Sequence, residues 1–436
     1  MTEIVVIGSG MAAVGAVHRL RAEGVRPTLY DKNPYPGGHT ATFRHSSGFL
    51  FDDGPHISFT RDERLQALFA ENVGREFEII QAQVNNYWRG HWIKHPAQCN
   101  LYGLPPDLVS RVIEDFVATQ SGDSTEFSNY REWLLAAYGR TFAETFPTEY
   151  GTKYHTTGPE NMTTDWLGSR LYRPAMDEVL RGAVEPVTPD VHYVDHFRYP
   201  SENGFVSYLE PFYRHCRLEL SHEVMRIDAA RRRLEFAGGD NVEYEHLISS
   251  MPLPSLIARI EGAPPEVVEA ASRLACTTCV VVNVGIDRPD ISPAHWTYFY
   301  DRDFIFTRLS FPHMLSPANV PPGAGSIQAE LYYSEKYKPL DRRPEECIEP
   351  VVADLRRCGV LRETDEILVT EARVAPFANV IFDLDRPAAV EAVHGFLDDA
   401  EIGYCGRYGE WGYQWTDESF ISGEQAAQRA LDRTSS

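Results

Sequence analysis

Ile4-Val5-Val6-Ile7-Gly8-Ser9-Gly10-Met11-Ala12-Ala13-Val14-Gly15 decides the fold. Four β-branched residues run into glycines, and a helical pattern follows, with Val14, Val17 and Leu20 on one face and Gly24 at its end. A second strand, Arg26 to Tyr30, stops at Asp31, 23 residues after Gly8; a dinucleotide fingerprint places its acid roughly 20 residues on. Gly8 permits the tight turn out of the strand. Gly10 lets the backbone approach a pyrophosphate, and Ala13 fills the third position, where a small residue lets helix and strand pack. The amides at Met11 and Ala12 open the helix toward the phosphates. Asp31, with Lys32 beside it, is placed for a ribose diol. An ordinary βαβ turn shares the strand and helix but needs no acid in this register.

The next stretch, Gly37-Gly38-His39-Thr40, adds a double glycine. Two bare backbone units can wrap the far side of a pyrophosphate, which simple NAD domains do not usually require, so the expected cofactor is FAD. A hairpin at Ser46-Ser47-Gly48 then leads to Phe51-Asp52-Asp53-Gly54-Pro55-His56-Ile57. This order of elements resembles the FAD-dependent superfamily of amine oxidases, protoporphyrinogen oxidases and UDP-galactopyranose mutases. Gly37-Gly38-His39 followed by Asp53 to Ile57 is most similar to its mutase-like and protoporphyrinogen-oxidase-like branch. The resemblance implies that Pro55 and His56 lie close to the isoalloxazine ring. His39 stands where the amine-oxidase form commonly has arginine.

Composition sets the limits. The chain has 436 residues, 43% hydrophobic and 24% charged, which suits a globular protein of two or three domains. A net charge of −22 argues against a nucleic-acid partner, since phosphates are neutralised by clustered Lys and Arg. No run of 18 apolar residues is present, and Met1-Thr2-Glu3 enters the first strand directly, so the expectation is a cytoplasmic protein without a membrane partner. Seven scattered cysteines suit a reducing compartment. Cys276 and Cys279 have CxxC spacing but lead into strand-like sequence, whereas redox pairs open a helix. His91 and His95 flank strand-like residues, so no metal site is expected.

In chain order, Asp62 to Val73 and Pro106 to Phe116 read as helices, with Leu108, Val112 and Phe116 on the apolar face of the second. Ser121-Gly122-Asp123-Ser124 breaks the pattern before a helix from Tyr130 to Tyr138. Phe77 to His95 reads as short antiparallel strands. Phe142, Phe146, Tyr150 and Tyr154 recur every fourth residue as a core stripe or a pocket wall. Lys153 and Arg170 are the candidates there for facing a ligand. The resemblance places Asn203 and Gly204 near the flavin, before an amphipathic helix to about His215, and Val224 against the adenine. Leu218 to Asp228, Arg231 to Phe236 and Val242 to Tyr244 read as a small antiparallel sheet. Cys276 to Ile286, Trp296 to Tyr300, Phe304 to Phe311 and Ser326 to Tyr333 read as strands of a further sheet. Tyr332 and Tyr333 are adjacent, so only one can face a pocket.

The last anchor is Gly406-Arg407-Tyr408-Gly409-Glu410-Trp411, followed by a helix expected to start at Asp417 as N-cap. It is similar to the C-terminal FAD motif of the same branch. The resemblance implies that Gly406 and Arg407 approach the pyrophosphate or ribityl chain. Amides of Thr416, Asp417 and Glu418 would stabilise negative charge on reduced flavin. The expected fold is α/β: a Rossmann-type FAD domain from 1–75, 200–255 and 385–436. A substrate domain of antiparallel sheet plus helices comes from 76–199 and 256–384, with a helical insert at about 105–182. The expected activity is FAD-dependent oxidation of a small organic substrate by hydride transfer, with electrons passed to oxygen or another acceptor. The resemblance leaves two alternatives, a non-redox isomerase of the UDP-galactopyranose mutase type and a non-catalytic FAD-binding protein. The mutase reading requires paired arginines, for which Arg170, Arg198 and Arg308 are available. His56, Arg198 and Trp411 are the candidate catalytic residues.

Overall fold

A computed structural model describes residues 3–120, 126–168, 171–191 and 194–434. Ile4–Ile7 is the middle strand of a five-stranded parallel sheet. The order is Ile402–Tyr404, His246–Ser249, Ile4–Ile7, Thr28–Tyr30 and Arg217–Glu219. All four residues of the middle strand are buried. A strand covered on both faces needs no alternation, which is why this one reads as a continuous apolar run.

The first helix, Met11–Ala22, leaves this strand through Gly8, whose φ of +108° excludes most side chains. It packs against the last helix, Thr416–Thr434. Glycines set how close the two come. A Cβ on Gly15 would strike the Phe420 carbonyl, and a Cβ on Gly423 would strike the Ala12 carbonyl. Ser422, Ala426 and Ala427 continue the small-residue face of the last helix, all buried.

A seven-stranded sheet forms the other half. Its order is Ile367–Ala375, Thr278–Ile286, Gly325–Tyr333, Arg308–Ser310, Trp296–Phe299, Val84–Trp88 and His91–Lys94. It is antiparallel except where Trp296–Phe299 runs parallel to Val84–Trp88. Helices Pro106–Thr119, Tyr130–Tyr138, Arg140–Thr145 and Pro147–His155 pack on one another in turn, the last also against Gly325–Tyr333, and Leu108, Val112 and Phe116 are buried as their spacing predicts. The break expected at 121–124 lies outside the described residues. No helix among the described residues is long and apolar enough to cross a membrane.

The structure corrects several local expectations. Phe77–Gln81 pairs with His196–Pro200 in a separate ribbon rather than with the strands that follow it. Arg217–Glu219 leaves the small antiparallel sheet and extends the parallel one beside Thr28–Tyr30. The helix expected to His215 is two 3-10 stretches, Phe205–Tyr208 and Glu210–His215, because Pro211 lacks the N–H that a continuous α-helix would use. The strand expected over Phe304 to Phe311 shortens to Arg308–Ser310.

The helix–helix contact makes a direct prediction. Gly423→Val should destabilise the protein by about 1–3 kcal/mol or more through overpacking against Ala12. Gly395→Ala, in an exposed helical position with open space around it, should stabilise by about 0.5–1 kcal/mol. Urea unfolding midpoints of the two variants should therefore move in opposite directions.

Candidate functional site

A cavity of about 1050 Å³ runs between the two halves of the molecule. Its nucleotide end is bare backbone. Gly8, Gly10, Gly37 and Gly38 all line it. A Cβ on Gly10 would stand 3.5 Å from the Gly37 carbonyl, and one on Gly38 would stand 3.2 Å from the Gly10 Cα. Met11 and Ala12 begin the first helix here, and its N-cap, Gly10, offers no side chain to the first-turn amides. A helix start left uncapped beside a glycine cradle fits a pyrophosphate. Asp31 is buried, its Oδ2 accepting from Ser9 Oγ at 2.6 Å and its Oδ1 from the Asn33 amide at 2.9 Å. Those bonds fix the carboxylate at the cavity wall with lone pairs left for a diol. Lys32, His39, Thr40 and Val224 also line this end, and the Val224 carbonyl accepts from Arg259 Nε at 2.5 Å.

The C-terminal anchor closes over the same region. Gly406 has φ +75°, and a Cβ there would stand 2.6 Å from Ala12 Cβ. Its amide donates to Ser422 Oγ at 2.8 Å, tying the turn to the last helix. Arg407 donates through Nη2 to Asn379 Oδ1 at 2.7 Å and lies over the Tyr413 ring at 4.6 Å. Its buried Nε has no partner, which leaves a donor for a bound group. Gly406, Arg407 and Thr416 line the cavity. Asp417 and Glu418 do not; the helix starts at Thr416, so Asp417 falls in its first turn rather than at the N-cap. The Glu418 carboxylate accepts from the Trp415 amide at 2.7 Å.

Pro55 and His56 line the same cavity. His56 Nδ1 lies 2.9 Å from the Gly54 carbonyl. A carbonyl only accepts, so Nδ1 carries the proton and Nε2 the free lone pair. Burial pushes this imidazole down to about 4, which keeps it neutral at ordinary pH.

The other end of the cavity is walled by tyrosines. Tyr150 and Tyr154 come from the helix Pro147–His155, Tyr298 and Tyr300 from the Trp296 strand and its end, and Tyr332 from Gly325–Tyr333. Tyr413 meets Tyr154 hydroxyl to hydroxyl at 3.2 Å. One ion pair stands among these rings. Arg308 sits opposite Glu330 in strand register and donates through Nε at 2.5 Å and Nη2 at 2.8 Å. Tyr332 donates to the same carboxylate at 3.0 Å. Burial and Glu330 together hold the Tyr332 phenol well above its usual range. Tyr333 points away, toward Cys347.

Glu330 was missed by sequence reading. The available signal was Gln328, Glu330 and Tyr332 at every second position, alternating with Ile327, Ala329 and Leu331. Several other candidates are not at the cavity wall. Arg198 donates to Gln66 Oε1 at 3.0 Å on the side ribbon. Trp411 is fully buried, and its carbonyl accepts from Arg386 Nε and Nη2. Asn203 accepts from Arg44, and a Cβ on Gly204 would strike Thr42; neither residue lines the cavity. Lys153 points behind the wall, and Arg170 lies outside the described residues. Cys279 lines the cavity, while burial pushes the Cys276 thiol up to about 12, far from a reactive thiolate. His95 Nδ1 pairs with Asn86 Oδ1 at 3.0 Å, and no cluster of metal-ligating side chains occurs among the described residues.

Comparison with known proteins places these features in a family. A family model for flavin containing amine oxidoreductases matches residues 194–431, more than half of the chain, and one for an NAD(P)-binding Rossmann-like domain matches residues 6–71. A 4,4'-diapophytoene desaturase of Staphylococcus haemolyticus is 39% identical over 75 residues, 17% of this chain and 14% of its own length. A neurosporene-forming phytoene desaturase of Rhodobacter capsulatus is 38% identical over 78 residues, 18% of this chain and 14% of its own. The chain thus matches about a seventh of either desaturase. Among solved structures, a reduced UDP-galactopyranose mutase superposes with a TM-score of 0.92 over 100% of this chain and 95% of its own, at 24% identity. Cyclohexylamine oxidase from Brevibacterium oxydans gives 0.69 over 100% of both chains at 12% identity. These two likenesses establish the fold.

The buried ion pair yields a stability prediction. Glu330→Leu should cost about 1–3 kcal/mol, because Arg308, whose side chain is 24% exposed, loses the carboxylate that accepts from its guanidinium. The double variant Arg308→Met/Glu330→Leu should recover most of that loss in urea unfolding. A double variant no more stable than Glu330→Leu alone would show that the pair is not the source of the cost.

Proposed function

The chain belongs to the flavin containing amine oxidoreductase family, whose cofactor is FAD, and from that premise we propose that it oxidises a small organic substrate by hydride transfer. The observation that carries this reading is one continuous cavity. It has a glycine-lined nucleotide cradle at one end, an aromatic chamber with a buried ion pair at the other, and neutral His56 in its wall. FAD, when bound, supplies the two-electron acceptor. Gly8, Gly10, Asp31, Gly37, Gly38, Gly406 and Arg407 would hold it, with Lys32, His39, Thr40, Pro55, Val224 and Thr416 around it. The chain's own tasks are to orient the substrate, exclude water and take up the proton that remains after hydride loss. The tyrosines exclude water. The Arg308–Glu330–Tyr332 group orients a polar end of the substrate. His56 Nε2 accepts the proton, as an unprotonated imidazole can.

A non-redox isomerase of the mutase type is the second reading, supported by the shared fold. Holding a diphosphate calls for guanidinium forks open to its oxygens. Arg308 gives two of its hydrogens to Glu330, and Arg198 is not at the wall. That placement of Arg308 and Arg198 favours oxidation.

The deciding experiment follows the visible flavin bands of the holoenzyme without oxygen while amines, alcohols and UDP-sugars are added. Bleaching by an amine or alcohol is the expected result. UDP-sugar turnover seen only after chemical reduction of the flavin would overturn the proposal. His56→Ala should keep its FAD and lose about 10²–10⁴ in turnover. Because the imidazole titrates near 4, kcat/KM of the native enzyme should hold level from pH 8 down to about pH 5 and fall only below it. An acid limb centred at 6.5, the ordinary value for histidine, would contradict His56 as the buried base.

A further inference from the structure

Among the described residues, the lysine and arginines at the cavity wall are Lys32, Arg259, Arg308, Arg373 and Arg407. Three of the arginines are held by protein acceptors. Arg308 bonds Glu330, Arg259 bonds Glu223 and the Val224 carbonyl, and Arg407 bonds Asn379. Arg373 is placed differently. It leaves the strand Ile367–Ala375, at one edge of the seven-stranded sheet, and crosses to the other half of the molecule. Its guanidinium lies over the Phe43 ring, with Cζ 3.3 Å from the centroid. Phe43 follows the double glycine in the chain, on the strand Thr42–Arg44. Tyr35 precedes the double glycine and meets Phe43 edge to face at 4.9 Å. The Tyr35 hydroxyl feels the charges of both Arg373 and Asp31. Arg373 thus ends beside the loop that carries Gly37 and Gly38, away from the aromatic chamber.

The guanidinium is held there without using all of its hydrogens. Stacking on an aromatic face spends no N–H group. Asp53 Oδ1 stands 3.9 Å from Nε, beyond hydrogen-bond length, and the buried Nε has no partner. The neighbouring cradle is short of positive charge. It offers backbone dipoles, Asp31 and Asp53 line the same cavity, and the chain carries a net charge of −22. A phosphate group withdrawn from water into such a place needs a paired cation. His39, inside the double-glycine loop, turns its ring to Asp53 at 3.5 Å and to Tyr408 at 5.2 Å. A guanidinium fork matches phosphate oxygens, and Arg373 is the one that reaches this loop. We propose that Arg373 is a pyrophosphate-binding residue of the FAD site, supplied by the seven-stranded sheet to the double-glycine loop of the opposite half.

The inference rests on the FAD reading of the cradle, and titration of FAD into the native apoprotein tests that reading separately. If the native chain binds FAD, Arg373→Met should bind it about 10- to 100-fold more weakly, the range of a hydrogen bond to a charged group. Equal affinity overturns the assignment. Distortion of the loop would also weaken binding, so a second variant returns a guanidinium from the other side. Arg373→Met/His39→Arg should bind FAD about 3- to 10-fold more tightly than Arg373→Met alone. No gain would trace the loss to distortion and overturn the assignment. The midpoint potential of the bound flavin should be the same in native protein and Arg373→Met, because the pyrophosphate takes no part in reduction. A shifted potential would place the guanidinium at the ring instead. If Arg373→Met does not fold, Arg373→Lys decides. It keeps the charge and loses the fork, so it should bind FAD about 3- to 10-fold more weakly than the native chain, and equal affinity refutes the proposal.

Discussion

The contact between the first and last helices is the constraint on which the site depends. Gly15 faces the Phe420 carbonyl and Gly423 faces the Ala12 carbonyl, each with no room for a Cβ. Helices held at backbone distance bring two ends of the chain, four hundred residues apart in sequence, to one place. Gly406 then lies against Ala12, and Ser422 accepts the Gly406 amide. The nucleotide cradle is thus assembled from both termini, with Gly37 and Gly38 closing its far side. Anything that pries the helices apart should damage binding before it damages the seven-stranded sheet, which has its own core around Val282, Phe306 and Ile327.

The second half of the cavity follows a different rule. Its walls are aromatic, which supplies apolar contact with little rotamer freedom to lose. Into them the fold sets one costly feature, the Arg308–Glu330 pair. Buried pairs of this kind are weak evidence for stability, since desolvation offsets their attraction. Their value here is directional: Glu330 accepts from Arg308 and Tyr332 together, so a fixed polar face stands amid the rings. Lys153 serves the same chamber from outside, donating to the carbonyls of Phe299, Asp301 and Phe306.

Local features of this structure are legible in the sequence and long-range ones are not. Gly8, Gly10, Asp31, Gly37 and Gly38 form a short contiguous pattern in which each residue type answers a backbone or ribose requirement, and all five line the cavity. The helical stripe at Leu108, Val112 and Phe116 is legible for the same reason. Arg308 and Glu330 are 22 residues apart and meet only through strand pairing, which no spacing rule announces. Arg198 and Trp411 show the opposite limit: a motif can name a residue without saying which way it faces. Lys153 follows the helical period of Tyr150 and Tyr154 closely enough to be taken for a wall residue, yet its long stem reaches those carbonyls behind the wall. Pro211 could have been read as a helix breaker, and the apolar spacing around it hides that.

Calorimetric titration of FAD into the apoprotein and into Gly10→Glu tests the central claim most directly. Gly10 has ordinary backbone angles, with φ −83°, and room for a Cβ, so the variant can fold, while its carboxylate enters the phosphate cradle. The native chain should bind one equivalent of FAD and the variant none, with unchanged unfolding midpoints. Equal binding by both would contradict the assignment of this cavity to the flavin nucleotide.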